Sequence, residues 1–479
     1  MFDYRAFALK RLASIAPRYL PFAEIATDEV PLARLMRLSL FQVTVGMALV
    51  MLVGTLNRVM IVELAVPATL VAGMLALPLL FAPFRTLIGF RSDTHRSALG
   101  WRRVPYIWKG TLYQFGGFAI MPFALLVLSG YGEAIDAPRW IGLSSAALAF
   151  LLVGAGVHMV QTVGLALATD LVREEDHPKV VGLMYVMLLV GMIVSALVYG
   201  ALLENYTPGR LIQVIQGSAV VTVALNLFAL WKQEARDRGR AQRMESAPIT
   251  KFNDAWRSLI SRPGCLRLLA VIGLGTFGFG MADVLLEPYG GQALGFTVAE
   301  TTKLTALLAA GTLVGFGFAS RALSHGGDPA RLAAIGALIG IPGFAAIVVS
   351  SSVIGPLLFV LGTLATGLGA GLFGHATLTA TLRGAPRDQF GLSLGAWGAV
   401  QATAAGLGVA LAGIVRDILV ALPALSGFAA HMPYNVVFVI EIGFLALAIL
   451  MVIPLVFRRG PSEATALPAA TQSSSLEVP

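Results

Sequence analysis

Residues Gly89–Gly110, GFRSDTHRSALGWRRVPYIWKG, form a short basic island between two long apolar runs. Gly89 and Gly100 punctuate it as turn residues, Asp93 lies between them, and Arg102 and Arg103 close it before apolar sequence resumes. A helix needs about 20 mainly apolar residues to cross the bilayer core, and the runs on both sides are that long. The island therefore reads as a loop at a membrane surface. Its arginines assign that surface, because lysine and arginine accumulate in short cytoplasmic loops.

The rest of the chain agrees. Its 479 residues are 57% hydrophobic and 13% charged, with mean hydropathy +0.80. A globular domain carries about 25% charged residues, so this much apolar surface requires lipid. The apolar runs predict twelve spans, near 36–56, 62–84, 105–129, 140–168, 179–203 and 210–231, then 266–288, 301–322, 331–350, 354–381, 391–420 and 434–457. With the N-terminus inside, only Arg58, Arg139, Arg210, Lys303 and Arg416 of the 34 basic residues fall on the outer side. Both termini are thus expected in the cytoplasm. The net charge of +8 is topological and excludes nucleic acid as a partner. The single cysteine, Cys265, excludes an intrachain disulfide and a cysteine metal cage. No cleaved signal peptide is evident.

The expected architecture is an all-α integral membrane protein with two six-helix, pseudo-symmetric halves. Residues 1–34 read as a basic, interfacial N-terminal segment, 35–231 as the first half and 232–264 as a cytoplasmic linker. Residues 265–458 read as the second half and 459–479 as a disordered tail. The halves echo one another. Gly154-Ala155-Gly156 in span four matches Gly369-Ala370-Gly371 in span ten, and GTLNRVMIVEL (54–64), placed after span one, loosely matches GFGMADVLLEP (278–288) at the end of span seven. Such symmetry suits a transporter-type bundle with a site between the halves.

Gly89, three residues, Asp93 and the Gly100–Arg102–Arg103 cluster resemble the cytoplasmic signature between helices two and three of the major facilitator superfamily. The resemblance implies a latch in which these residues pair with carboxylates across the half interface. Two departures weaken any conventional transport cycle: six residues separate Asp93 from Gly100, more than the usual motif has, and Arg321 stands where a second-half Asp would fall near Gly317–Asp328.

SDTHRSALGWRRVPYIWKG, GTLNRVMIVEL and ADVLLEPYGGQALG together resemble the PucC/LhaA family of phototrophic bacteria, over all twelve spans. Length and the full cytoplasmic segments look most like the LhaA member, tied to the core (light-harvesting 1) antenna, with the PucC member, tied to the peripheral antenna, close behind. The resemblance implies an assembly factor, a chaperone of the light-harvesting antenna. It would bind bacteriochlorophyll in the bacterial inner (intracytoplasmic) membrane and deliver it to nascent antenna polypeptides. Bacteriochlorophyll synthase and membrane-insertion machinery are further partners it suggests. Two alternatives stay open: a proton-coupled secondary transporter, and an antenna scaffold that never touches pigment.

Charges at membrane depth are expensive and mark functional sites by default. Arg58 and Glu63 are placed at the outer ends of spans one and two. Asp283 and Glu287, four residues apart on one helix face, are placed in the outer part of span seven, where Arg58 can reach either carboxylate. The cluster is either a structural ion pair or part of a pigment or proton site. Glu441 and Asp170 are weaker candidates. His158 and His375 lie mid-span, each shortly after a Gly-Ala-Gly. A neutral imidazole suits a metal-centred macrocycle and the glycines leave room for a flat ring, although a membrane histidine also commonly bonds a neighbouring helix. Thr377 reads as bonded back to its own helix. No phosphate loop, metal-spaced cluster or nucleophile elbow appears, so no enzyme is expected.

Overall fold

The computed structural model describes residues 31–80, 88, 92, 101, 103–130, 134, 136–173, 176–234, 256–257, 259–351, 355–384, 390–422 and 429–457. Among these are twelve principal helices: α1 Leu32–Glu63, α2 Ala68–Leu80, α3 Val104–Ser129, α4 Arg139–Asp170, α5 His177–Leu202 and α6 Pro208–Leu230 form the first set. The second set is α7 Cys265–Leu294, α8 Val298–Ser324, α9 Pro329–Val349, α10 Gly355–Arg383, α11 Phe390–Ala421 and α12 Met432–Val456. Eleven are long and apolar enough to cross a membrane, and α2 is shorter within the described residues. The chain is a multi-pass, all-α membrane protein.

Local chemistry explains where several helices start. Thr297 and Glu300 form a reciprocal capping box at α8. Asp328 accepts from the Ala330 amide ahead of Pro329, starting α9. The stretch Gly317–Ser324, expected to echo the Gly89 loop, is helical and belongs to α8.

The two sets use the same packing device. In lipid, helices associate through close backbone approach at small residues rather than through hydrophobic burial. A Cβ on Gly156 would stand 2.5 Å from the Gly110 carbonyl oxygen, so α3 and α4 meet there backbone to backbone. Gly369 meets the Gly336 carbonyl at 2.6 Å in the same sense, joining α9 and α10. The two Gly-Ala-Gly motifs are nevertheless not in register. Gly154 abuts Pro78 of α2, whereas the first glycine of the second motif faces α9 and its second, Gly371, faces Thr312 of α8. These glycines seat neighbouring helices, so they do not open room for a flat ring as expected.

Buried polar groups tie the first set together. Thr44 donates to the Asn226 side-chain oxygen at 2.9 Å, and the Asn226 amide donates to Thr111 at 2.9 Å, linking α1, α6 and α3. In the second set Tyr289 is fully buried against Tyr434, Phe438 and Phe359, and its hydroxyl donates to the Ile347 carbonyl.

One boundary moves. GTLNRVMIVEL does not follow the first span: it forms that span's last turns, wound as π-helix over Val50–Leu56 and Val59–Glu63. Arg58 and Glu63 therefore share α1, and neither belongs to α2. π-Turns inside α-helices concentrate at functional sites.

Candidate functional site

The halves meet closely at the end of the bundle that carries Arg58. A Cβ on Gly413 of α11 would fall 2.5 Å from the Ala72 Cβ and 2.8 Å from the Ala68 carbonyl oxygen of α2. Asp417, one turn further along α11, accepts from the Thr69 amide at 2.7 Å and is itself held by Arg416 at 2.8 Å. A carboxylate of one half thus caps the first turn of a helix in the other, where the helix dipole favours negative charge. On the opposite flank Gly200 of α5 packs on Ala299 and Lys303 of α8. Asp417 escaped the sequence reading; the one available signal was an acid beside Arg416 inside an otherwise apolar run.

The Arg58 cluster sits between these flanks. Arg58 is 3% exposed. It donates to Glu63 on its own helix and, at 2.9 Å, to the Phe296 carbonyl of the other half. Gly291 admits the guanidinium, since a Cβ there would lie 3.0 Å from Nη2. Arg58 was expected to reach Asp283 or Glu287: among the described residues no hydrogen bond links them, and Arg58 stands within electrostatic range of Glu287 alone of the two. The π-turns aim Arg58 past α7 to the loop beyond it, and Glu63 sits close enough on α1 to take the charge. Tyr206, between α5 and α6, completes the cluster. Burial, and then Glu63, push its hydroxyl up to about 12, with Arg58 opposing.

Asp283 and Glu287 share one face of α7 as expected, but in different surroundings. Glu287 is 3% exposed and accepts from Thr305 of α8, while its second oxygen is buried with no hydrogen-bond partner among the described residues. Gly54 of α1 makes this possible, because a Cβ there would stand 2.5 Å from the carboxylate. Asp283 lies near the middle of the 30-residue helix α7 rather than at its outer part, and it is exposed. The neighbouring backbone carbonyl, of Val284, accepts from Asn57 of α1 at 2.9 Å. Asp283 therefore borders the space between the halves. Glu441 of α12, within electrostatic range of Asp283, is fully buried, and neither carboxylate oxygen has a hydrogen-bond partner among the described residues.

The two mid-span histidines lie elsewhere. On α10, glycines 362 and 369 face α9, and glycines 367 and 371 face α8. His375 falls on a strip with Leu357 (56% exposed), Leu361 (50% exposed), Leu364 and Leu368, of which Leu364 and Leu368 run against Gly311 and Gly315 of α8. Leu357 and Leu361 stand in the first two turns of α10. The His375 ring is half-buried and packs on Phe316 of α8 with centroids 4.0 Å apart. Its Nδ1 is buried with no hydrogen-bond partner among the described residues, leaving Nε2 as the accessible nitrogen. His158 occupies the corresponding strip of α4, in line with Trp140 (68% exposed), Ser144 and Leu151. Thr377 bonds back to the Phe373 carbonyl at 2.9 Å, as expected, and accepts from Trp397.

Of the latch residues, Gly89, Asp93, Gly100 and Arg102 lie outside the described residues. Arg103 is described. It donates to Asp170 of α4 at 3.1 Å and to Ser92 at 2.8 Å. Asp170 belongs to the same half, so this pair braces α3 against α4, where a tie across the half interface was expected. Glu234 accepts from the Arg103 and Val104 amides at 3.0 Å, capping the start of α3.

Comparison with known proteins adds relatives and neighbours. The profile described as "PUCC protein" matches residues 55–460. "Protein PucC" of Rhodobacter capsulatus is 71% identical over 459 residues, 95% of this chain and 99% of that protein. "Protein PucC" of Rhodovulum sulfidophilum is 66% identical over 411 residues, 86% and 90% of the two. A more distant relative, "Bacteriochlorophyll synthase 44.5 kDa chain" of Rhodobacter capsulatus, is 28% identical over 81% of this chain and 88% of that one. None of these three bears the LhaA name. Among solved structures, a bacterial homologue of the human lysosomal transporter Spinster aligns with TM-score 0.64 at 17% identity, over 90% of this chain and 98% of that chain. A bacterial homologue of the iron transporter ferroportin aligns with TM-score 0.65 at 14% identity, over 89% and 99%. At such identities these likenesses show the fold, a two-half bundle of the major facilitator kind.

Proposed function

The chain belongs to the PUCC protein family, and on that premise we propose that it is an assembly factor for the light-harvesting antenna of phototrophic bacteria. In this reading it holds bacteriochlorophyll on its membrane face and passes it to antenna polypeptides. The observation that carries the reading is the position of His375. A pigment bound for single-span antenna helices has to leave sideways through lipid, and His375 is half-buried at the α8–α10 contact, in line with the exposed Leu357 and Leu361. The residues fit the pigment in two respects. The accessible Nε2 of a half-buried imidazole is an axial ligand of the right chemistry, and Phe316 under the ring fixes its plane. When bound, the macrocycle supplies light absorption, and the protein's part is to hold the central magnesium and shield the ring from water. His158 offers a second such position in the other half.

The name of the distant relative, a bacteriochlorophyll synthase chain, supports a pigment context without fixing which antenna is served. The membrane is then the bacterial inner, intracytoplasmic one, with both termini in the cytoplasm and the Arg58 end outside.

Absorption spectroscopy of the protein purified from a phototrophic host tests this. The expected result is a near-infrared band that co-purifies, weakens in His375→Ala and His158→Ala, and is lost in the double variant. A wild-type protein without pigment, or a double variant with a full complement, overturns the reading.

One observation favours a second reading, a proton-coupled transporter: Asp283 is exposed near the middle of α7, where a solute path between the halves would pass. Reconstituted protein that moves protons or solute down a pH gradient, and stops in Asp283→Asn, would establish it. Pigment retention with no flux rejects it.

A further inference from the structure

A site unrelated to the histidines or the carboxylates lies between α5 and α6 at the Arg58 end. Two cavities adjoin there and share Leu202, Arg210 and Gln213. The first, about 500 Å³, is polar, and Glu204, Asn205, Arg210 and Gln213 line it. The second, about 440 Å³, runs down the groove between the two helices and is apolar, walled by Met47, Val194, Val198, Val214, Val221 and Leu225. Two polar groups of the groove are already paired, because Tyr199 and Ser218 bond each other at 2.7 Å. Gly217 leaves open space in the groove, since a Cβ there would meet nothing within 4 Å.

Arg210 is set for an anion. Its backbone amide donates to Thr207 and its Nε to the Leu202 carbonyl at 3.0 Å, so the C-terminal carbonyl of α5 orients the guanidinium. Among the described residues neither Nη1 nor Nη2 has a partner. An anchored guanidinium with its two terminal nitrogens free is the geometry that grips a phosphate in bidentate fashion. The acid in the same chamber, Glu204, is exposed and forms no ion pair among the described residues. A guanidinium and a carboxylate lining one chamber above an apolar groove are complementary to a head group carrying both a phosphate and an amine.

We propose that this site binds one amine-bearing zwitterionic phospholipid of the phosphatidylethanolamine type. Its phosphate lies on Arg210, its ammonium towards Glu204, and one acyl chain in the α5–α6 groove. The lipid seals the groove beside α1, whose Val43 and Met47 form its back wall. The bound lipid thereby joins the set of contacts that hold α1, α5 and α6 together.

Native mass spectrometry of the detergent-purified full chain, titrated in parallel with phosphatidylethanolamine, phosphatidylcholine and phosphatidylglycerol, tests the proposal. The wild type is expected to retain one phosphatidylethanolamine in preference to the other two. Arg210→Gln lowers that occupancy about tenfold or more, the scale of one charge-assisted pair. Gly217→Phe, which enters open space and so disturbs no packing, blocks the groove and abolishes retention. Glu204→Gln keeps a lipid but loses the preference for the amine head. Leu227→Phe, on exposed surface outside the groove, changes nothing and reports that the fold is intact. Equal retention of all three lipids, or full retention in both Arg210→Gln and Gly217→Phe, overturns the proposal, as does a wild type that retains none.

Discussion

Replacing Gly413 by alanine adds one methyl group at the tightest contact between α2 and α11. The new carbon would lie 2.5 Å from the Ala72 Cβ and 2.8 Å from the Ala68 carbonyl oxygen. Carbon atoms rest about 3.5–4.0 Å apart, so the overlap is about 1 Å. The Ala68 carbonyl is backbone in the first turn of α2, next to the amide that Asp417 caps, and it has no rotamer by which to withdraw. Overpacking of this kind costs about 1–3 kcal/mol. The two sides of the clash belong to different halves, so the cost falls on the closed arrangement alone. As a population shift it is about 5- to 150-fold toward separation of the halves at this end. The measurement is a pulsed electron paramagnetic resonance distance between labels at Leu70→Cys and Val420→Cys in a Cys265→Ser background. Both label sites are exposed, at 44% and 54%, and Cys265 is the natural chain's single cysteine. Gly413→Ala is expected to move weight from the short distance to a longer one. Gly73→Ala, also on α2 but with nothing within 4 Å of its Cβ, should leave the distribution unchanged. An unaltered distribution in Gly413→Ala, with or without a lower melting temperature, would refute the claim that this contact governs a rocking of the halves.

Asp417→Ala removes the cap on the Thr69 amide and should cost about 1 kcal/mol, read as a lower unfolding midpoint in detergent; no change would mean the cap is replaced by water. Asn226→Leu breaks both the Thr44 and Thr111 bonds and should cost about 1–2 kcal/mol, with little further loss when Thr111→Val is added. Asp170→Asn weakens the charge-assisted bond from Arg103, a residue 6% exposed, by about 1–2 kcal/mol, and faster hydrogen exchange at the start of α3 would report it. Gly54→Ala drives a methyl group onto the Glu287 carboxylate; limited proteolysis near the α1–α2 junction should accelerate, and an unchanged pattern would show that the carboxylate swings aside freely.

Span number, the pairing of helices into two sets and the membrane setting follow from composition and periodicity alone. Each is decided by a bulk quantity, the length of an apolar run, that local sequence carries in full. The end of the Gly89–Gly110 island likewise needed no coordinates: apolar sequence resumes there, and α3 starts at Val104. The family was legible too, through motifs that the profile over residues 55–460 bears out.

Where the ionisable groups point was decided only by tertiary structure, because the partners of a buried charge are set by helix winding and by neighbours distant in sequence. Arg58 found Glu63 and Phe296 rather than the carboxylates of α7, because π-turns rotate the end of α1. The Gly-Ala-Gly repeats looked equivalent in sequence, yet each meets different helices, since one residue of helical register turns a side chain by about 100°. The same register left His158 and His375 half-buried, the latter against Phe316 of α8, and no pattern in their own spans names that neighbour.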